Sequence, residues 1–178
     1  MTFSLFSRAH EFAEAAHTGQ TRRDSGDPYI RHPERVALLV AEHAGDFDDP
    51  HTALAAAFLH DTVEDCETTL DELRAEFGAA VADLVGELTN PSKSLAYATV
   101  RAERKAVDLA HLKEVSDDAK RLKLCDRLDN LRDGLRGHAA WKRTYARESA
   151  TILAALGDTS HTLAAKVAGA IKTMSNTS

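Results

Sequence analysis

Cysteine is scarce in this chain: Cys66 and Cys125 are the only two in 178 residues. That is too few for a disulfide framework, and it points to a reducing cytoplasm. Proline occurs four times and aromatic residues make up 6%. The β-branched residues form no alternating runs, so the pattern gives no support to a sheet. No apolar run approaches the ~20 residues that cross a bilayer. The opening Met1-Thr2-Phe3-Ser4-Leu5-Phe6 lacks the basic start and long apolar run of a signal peptide. No basic tract offsets a net charge of −6, which argues against general nucleic-acid binding. A small anionic substrate held by a local cluster of Arg and Lys remains compatible with that balance. Internal repeats and low-complexity segments are also missing.

What is present is Ala, Leu and Val at helical spacing, which predicts an all-α chain, one helical domain over residues 1–178. Ser4 to His17 reads as the first helix, with His10, Glu14 and His17 on a solvated face. Thr18 to Ile30 is a loop, turned by Gly26-Asp27-Pro28 and carrying the adjacent Arg22 and Arg23. Pro33 opens the next helix and Gly45 stops it. Asp49-Pro50 starts another that runs into His60-Asp61. Thr69 to Glu72 is a capping box, Val81 to Leu88 form a short helix, and Val100 to Val115 read as a charged, solvated one. Ser116 starts a helix through Asp133 whose packed stripe is Ala119, Leu122, Cys125, Leu128 and Leu131. Trp141 to Leu156 and Thr162 to Met174 close the chain as scaffold.

Two stretches carry chemistry. In Phe58-Leu59-His60-Asp61-Thr62-Val63-Glu64-Asp65 an apolar run ends in an imidazole and three carboxylates. On a continued helix His60 would share a face with Glu64, and Asp61 with Asp65. Burying so many acids in one place calls for a cation, and the other reading is a helix that leaves the core and shows its acids to water. In the helix after Ser116, Lys123, Asp126 and Asn130 share a face, and Asp126 sits on the margin of a buried stripe, where a lone carboxylate needs a partner or a metal. His32, at a helix start after an ordered turn, can be aimed inward or can serve as a cap.

Three blocks in order, Arg22 to Pro33, His60 to Asp65 and Lys123 to Arg132, resemble the hydrolase domain of the RelA/SpoT-type stringent-response enzymes, within the HD superfamily. The resemblance covers residues 3–170 and implies a single HD-type helical bundle, a stand-alone small alarmone hydrolase. It implies Mn²⁺ on His32, His60, Asp61 and Asp126, a mixed N/O donor set suited to Mn, Fe or Zn. It further implies that Glu64 and Asp65 act as acid and base on a water activated by that metal. The implied reaction removes the 3′-pyrophosphate of (p)ppGpp, leaving GDP or GTP. Arg22, Arg23, Tyr29, Asn130 and Arg132 match the family's nucleotide contacts, with Lys123 a further candidate. Arg23 stands where Lys is common, and Asp129 where His or Tyr is usual; the second adds negative charge near a polyanion pocket. Two other readings compete: an HD phosphohydrolase acting on the 2′-phosphate of NADPH or on another nucleotide, and a catalytically dead nucleotide sensor.

Overall fold

The computed structural model describes residues 4–23, 25–95 and 100–177. Phe3 and Asp24, inside the stretch that carries the resemblance, lie outside the described residues. Ten α-helices follow one another among the described residues: α1 (Leu5–Ala16), α2 (Arg31–Glu42), α3 (Pro50–Leu59), α4 (Thr62–Asp65), α5 (Leu70–Phe77), α6 (Ala79–Leu88), α7 (Arg101–Glu114), α8 (Asp117–Asp133), α9 (Ala139–Leu156) and α10 (His161–Asn176). Their starts are written into the sequence. Ser4, Asp49, Ser116 and Ser160 each accept a backbone N–H of the first turn, and Thr69 and Glu72 close a reciprocal capping box. The one sheet-like feature among the described residues is an isolated antiparallel bridge between Thr21 and Pro28. It pins the loop before α2, and Gly26 supplies the positive φ of 76° that the turn requires.

The bundle is built around α8. It packs against α2, α3, α6, α9 and α10. The expected apolar stripe is buried, and so are Lys123, Leu124, Asp126, Arg127 and Asp129 on the other sides. A helix enclosed all round must satisfy its charged side chains internally. That requirement places the polar centre of the molecule in its interior.

The helix through His60-Asp61 does not continue as expected. α3 ends at Leu59, and α4 starts afresh at Thr62. The cause is side-chain competition for the last carbonyls: His60 Nδ1 takes the Ala57 carbonyl at 2.9 Å, and Thr62 Oγ1 takes that of Leu59 at 2.8 Å. The break turns His60 inward. The first helix also departs from the expectation of a solvated face. His17 is buried, stacked on the Tyr29 ring at 4.6 Å, and His10 meets Glu34 of α2 at 2.9 Å. The loop before α2 folds back over that face.

Candidate active site

Two imidazoles and two carboxylates converge at the centre from α2, from the α3–α4 break and from α8. His32 Nε2 lies 3.4 Å from Asp61 Oδ2 and 3.3 Å from Asp126 Oδ1. His60 Nε2 lies 3.2 Å and 3.9 Å from the same two oxygens. The possible ligand atoms of His32, His60 and Asp61 all fall within 4.8 Å of one another.

The outer nitrogens decide what the inner ones can do. His60 Nδ1 faces a carbonyl, so it carries the proton. His32 Nδ1 sits 2.7 Å from Asp129 Oδ2 and donates to it. In the neutral form both Nε2 atoms therefore present lone pairs to carboxylate oxygens, an arrangement that only a cation between them satisfies. Among the described residues His60 Nε2 is buried without a hydrogen-bond partner. These residues fit a divalent metal by donor chemistry and by that orphaned nitrogen. Without metal a proton plays the same part. Burial opposes charge on both imidazoles, yet the facing carboxylates outweigh it and raise both pKa values, that of His32 well above the ordinary one. Asp61 and Asp126, despite burial, are held well below the usual carboxylate range, Asp61 chiefly by the imidazoles and Asp126 chiefly by Lys123.

Each ligand candidate has its own support. Asp126 Oδ2 holds Lys123 Nζ at 3.0 Å, and Asp126 Oδ1 accepts a hydrogen bond from Asn130 Nδ2. Asn130 Oδ1 in turn accepts from Arg22 Nη2 at 2.7 Å, and Arg22 Nε donates to Asp133 at 2.8 Å. Tyr29 donates to Asp61 Oδ2 at 2.7 Å, with Asp65 Oδ2 at 3.2 Å from the same oxygen. A single phenolic proton serves one of them, and the shorter contact assigns it to Asp61. Asp129 is the informative departure from the family pattern. It is buried rather than facing a nucleotide, and Arg35 holds both its oxygens at 2.6 and 3.0 Å. Its charge is neutralised by Arg35 and His32, and it orients the imidazole from behind.

Glu64 and Asp65 flank the centre on α4. Glu64 Oε1 accepts from the backbone N–H of Asn90 at 2.6 Å and from its Nδ2 at 2.8 Å, which leaves Oε2 uncommitted apart from Lys93 Nζ 3.8 Å away. Asp65 pairs with Lys93 at 3.0 Å. Asn90 and Lys93 carried no chemical signal in the sequence.

Beside the centre opens a cavity of about 440 Å³ walled by Arg22, Arg23, Tyr29, Asn130, Trp141 and Tyr145. Trp141 and Tyr145, expected as scaffold, stack at 4.8 Å and form one wall. Gly134 makes room for them, since a Cβ there would stand 2.6 Å from the indole ring. Arg23 is exposed on the rim. Lys123 lies on the far side of Asp126, outside this cavity. Arg132 is exposed and lines a separate groove with Arg35 and Arg136.

The profile of the HD domain family matches residues 9–162, a stretch that includes all four converging side chains. The chain belongs to the HD domain family. This HD chain is 45% identical over 126 residues to the human guanosine-3′,5′-bis(diphosphate) 3′-pyrophosphohydrolase MESH1, which covers 70% of the chain and 66% of that protein. It is 40% identical over 153 residues to the guanosine-3′,5′-bis(diphosphate) 3′-pyrophosphohydrolase of Aquifex aeolicus, covering 84% of the chain and 20% of that longer protein. It also superposes with a TM-score of 0.84 and 28% identity on a solved structure described as a metazoan ortholog of SpoT that hydrolyzes ppGpp, over 97% of this chain and 96% of that one. No helix among the described residues is long and apolar enough to cross a membrane.

Proposed function

We propose that this HD chain, acting as a single unit in the cytoplasm, hydrolyses the 3′-pyrophosphate of guanosine tetra- or pentaphosphate to GDP or GTP and pyrophosphate. The observation that carries this reading is the convergence of two buried imidazole lone pairs and two carboxylates beside a cavity walled by arginine and stacked aromatic rings. The activity named for the human and Aquifex relatives supports it. His32, His60, Asp61 and Asp126 would hold Mn²⁺. A divalent cation there supplies positive charge that polarises a phosphoryl oxygen and acidifies water.

The remaining steps belong to the side chains. Glu64, clamped through Oε1 by Asn90, presents Oε2 to take the proton of the attacking water. Asp65, paired with Lys93 and beside the Tyr29 phenol, faces the departing 3′ oxygen. Trp141 and Tyr145 offer a flat face for the base, and Arg22 and Arg23 grip phosphate or stack on the base. Lys123 acts through Asp126 and is a positioning residue.

The direct test is to incubate the Mn²⁺-supplemented protein with ppGpp, pppGpp, NADPH and dNTPs and separate the products by chromatography. GDP or GTP with pyrophosphate is expected from the first two. Phosphate release from NADPH alone would replace this reading with a 2′-phosphatase one.

The two arginines should separate kinetically. Arg22 is tied to Asn130 and Asp133, whereas Arg23 is exposed and has no hydrogen bond among the described residues. Arg23→Ala should raise KM for ppGpp by about tenfold or more, the worth of a charged hydrogen bond, with kcat within a factor of about two. Arg22→Ala should lower kcat as well, because it frees Asn130 and through it Asp126. An unchanged KM in Arg23→Ala, measured by initial rates, removes Arg23 from the substrate site.

A further inference from the structure

On the side of Asp126 away from the aromatic wall lies a second cavity, of about 280 Å³, between α7, α8 and α9. Its charged wall holds three cations, Lys105, Lys123 and Arg127, and two carboxylates, Asp108 and Glu148. Four of these five groups are paired within the protein. Lys123 meets Asp126 at 3.0 Å, Lys105 meets Asp108 at 3.5 Å, and Glu148 holds Arg101 through both oxygens at 2.9 Å. Arg127 is the exception. It is 8% exposed, its Nε is buried with no hydrogen-bond partner among the described residues, and its guanidinium lies over the face of Tyr145, 4.8 Å from the ring centre. A buried guanidinium without an anion is a costly arrangement that a ligand would relieve.

The rest of the wall states what kind of ligand fits. Leu109, Leu112 and Ile152 are apolar, while Ala102 and Ala106 stand exposed at the mouth, so the cavity is open to solvent between α7 and α9. One uncompensated positive charge matches one negative charge. A second would face Glu148 and Asp108. A guanidinium is the planar fork that a carboxylate meets with two parallel bonds. The volume lies just below the range of ordinary small-molecule sites, roughly 300–1,000 Å³. From these observations we propose that the cavity between α7, α8 and α9 binds a small carboxylate with a short apolar body, its head on Arg127 and its tail against Leu109, Leu112 and Ile152. This site is separate from the nucleotide cavity and independent of which nucleotide is hydrolysed.

The test is calorimetric titration of hexanoate into the full Mn²⁺-loaded chain, with 1-hexanol and inorganic phosphate as comparison probes. Hexanoate should bind with 1:1 stoichiometry, at least tenfold more tightly than either. Arg127→Met should weaken hexanoate at least tenfold. Ala106→Trp, at the exposed mouth, should do the same with Arg127 in place, and so guards against a folding defect in the first variant. The proposal is overturned if hexanoate gives no saturable heat at millimolar concentration, if hexanol binds equally well, or if Ala106→Trp binds like the wild type, as it would were hexanoate merely ligating the metal. Displacement of hexanoate by ppGpp would also overturn it, by assigning the cavity to the nucleotide.

Discussion

Asp126→Ala should yield a protein that folds, carries no Mn²⁺, shows no hydrolysis and melts well below the wild type. Two separate losses combine in it. The proposed ligand oxygen disappears from between His32 and His60, where it stood 3.3 and 3.9 Å from their Nε2 atoms. Lys123, 7% exposed, loses the carboxylate that outweighs its burial and keeps its pKa raised. Breaking a buried pair from one side costs about 3–5 kcal/mol, and the lost metal linkage adds about 2.7 kcal/mol where the ion stands at a hundred times its Kd. In a domain of this size the first contribution alone lowers Tm by roughly 6–20 °C. Comparing the variant with chelator-treated wild type separates the two, because the treated wild type keeps the Lys123 pair. Retention of one Mn²⁺ per chain in purified Asp126→Ala, by elemental analysis, would show that the ligand set is wrong.

Glu64→Gln should keep its metal and its affinity for ppGpp while losing on the order of 10²–10⁴ in kcat, the usual contribution of general acid–base catalysis. The surroundings make this substitution clean. Asn90 donates twice to Oε1, and the carbonyl oxygen of glutamine can accept both bonds. The amide then replaces only Oε2, the atom assigned to the water, and an amide cannot take a proton. If instead Glu64 only balances charge around the ion, metal affinity falls and turnover returns at saturating Mn²⁺. Titration of Mn²⁺ against kcat decides, and recovery to near the wild-type rate would sink the acid–base role. Asn90→Ala is the companion measurement: as Asn90 positions Glu64, its loss should shift the pH profile of kcat rather than abolish turnover.

Most of the architecture was legible because caps and apolar spacing are local. Asp49-Pro50, the Thr69–Glu72 box and Ser116 marked helix starts that the chain uses. The His60-Asp61 break was not, because it depends on two side chains turning back to their own helix carbonyls. The residues matched to the metal site came from the motif, and the fold brings all four together. Their supports were less visible. Asn90 and Trp141 approach from remote segments, and nothing in their local sequence distinguishes them from a helix end and a scaffold helix. Asp129 read as a stray charge beside a polyanion site. Only its distance to Arg35, 94 residues away in sequence, shows that the charge is neutralised.

The enclosure of α8 bears on how the molecule opens. Segments of a protein unfold locally at very different free energies, the most enclosed ones only with the whole. Ten of the 17 residues of α8 are buried, Asp126 and its support Lys123 among them, while the Thr21–Pro28 turn lies at the surface, closed by its own backbone bonds and joined to α8 through the Arg22 side chain. The amides around the proposed metal ligand should therefore exchange with solvent only through global unfolding, and those of the arginine loop through cheap local excursions. The loop that carries Arg22 and Arg23 can thus fluctuate while the cluster around Asp126 stays fixed.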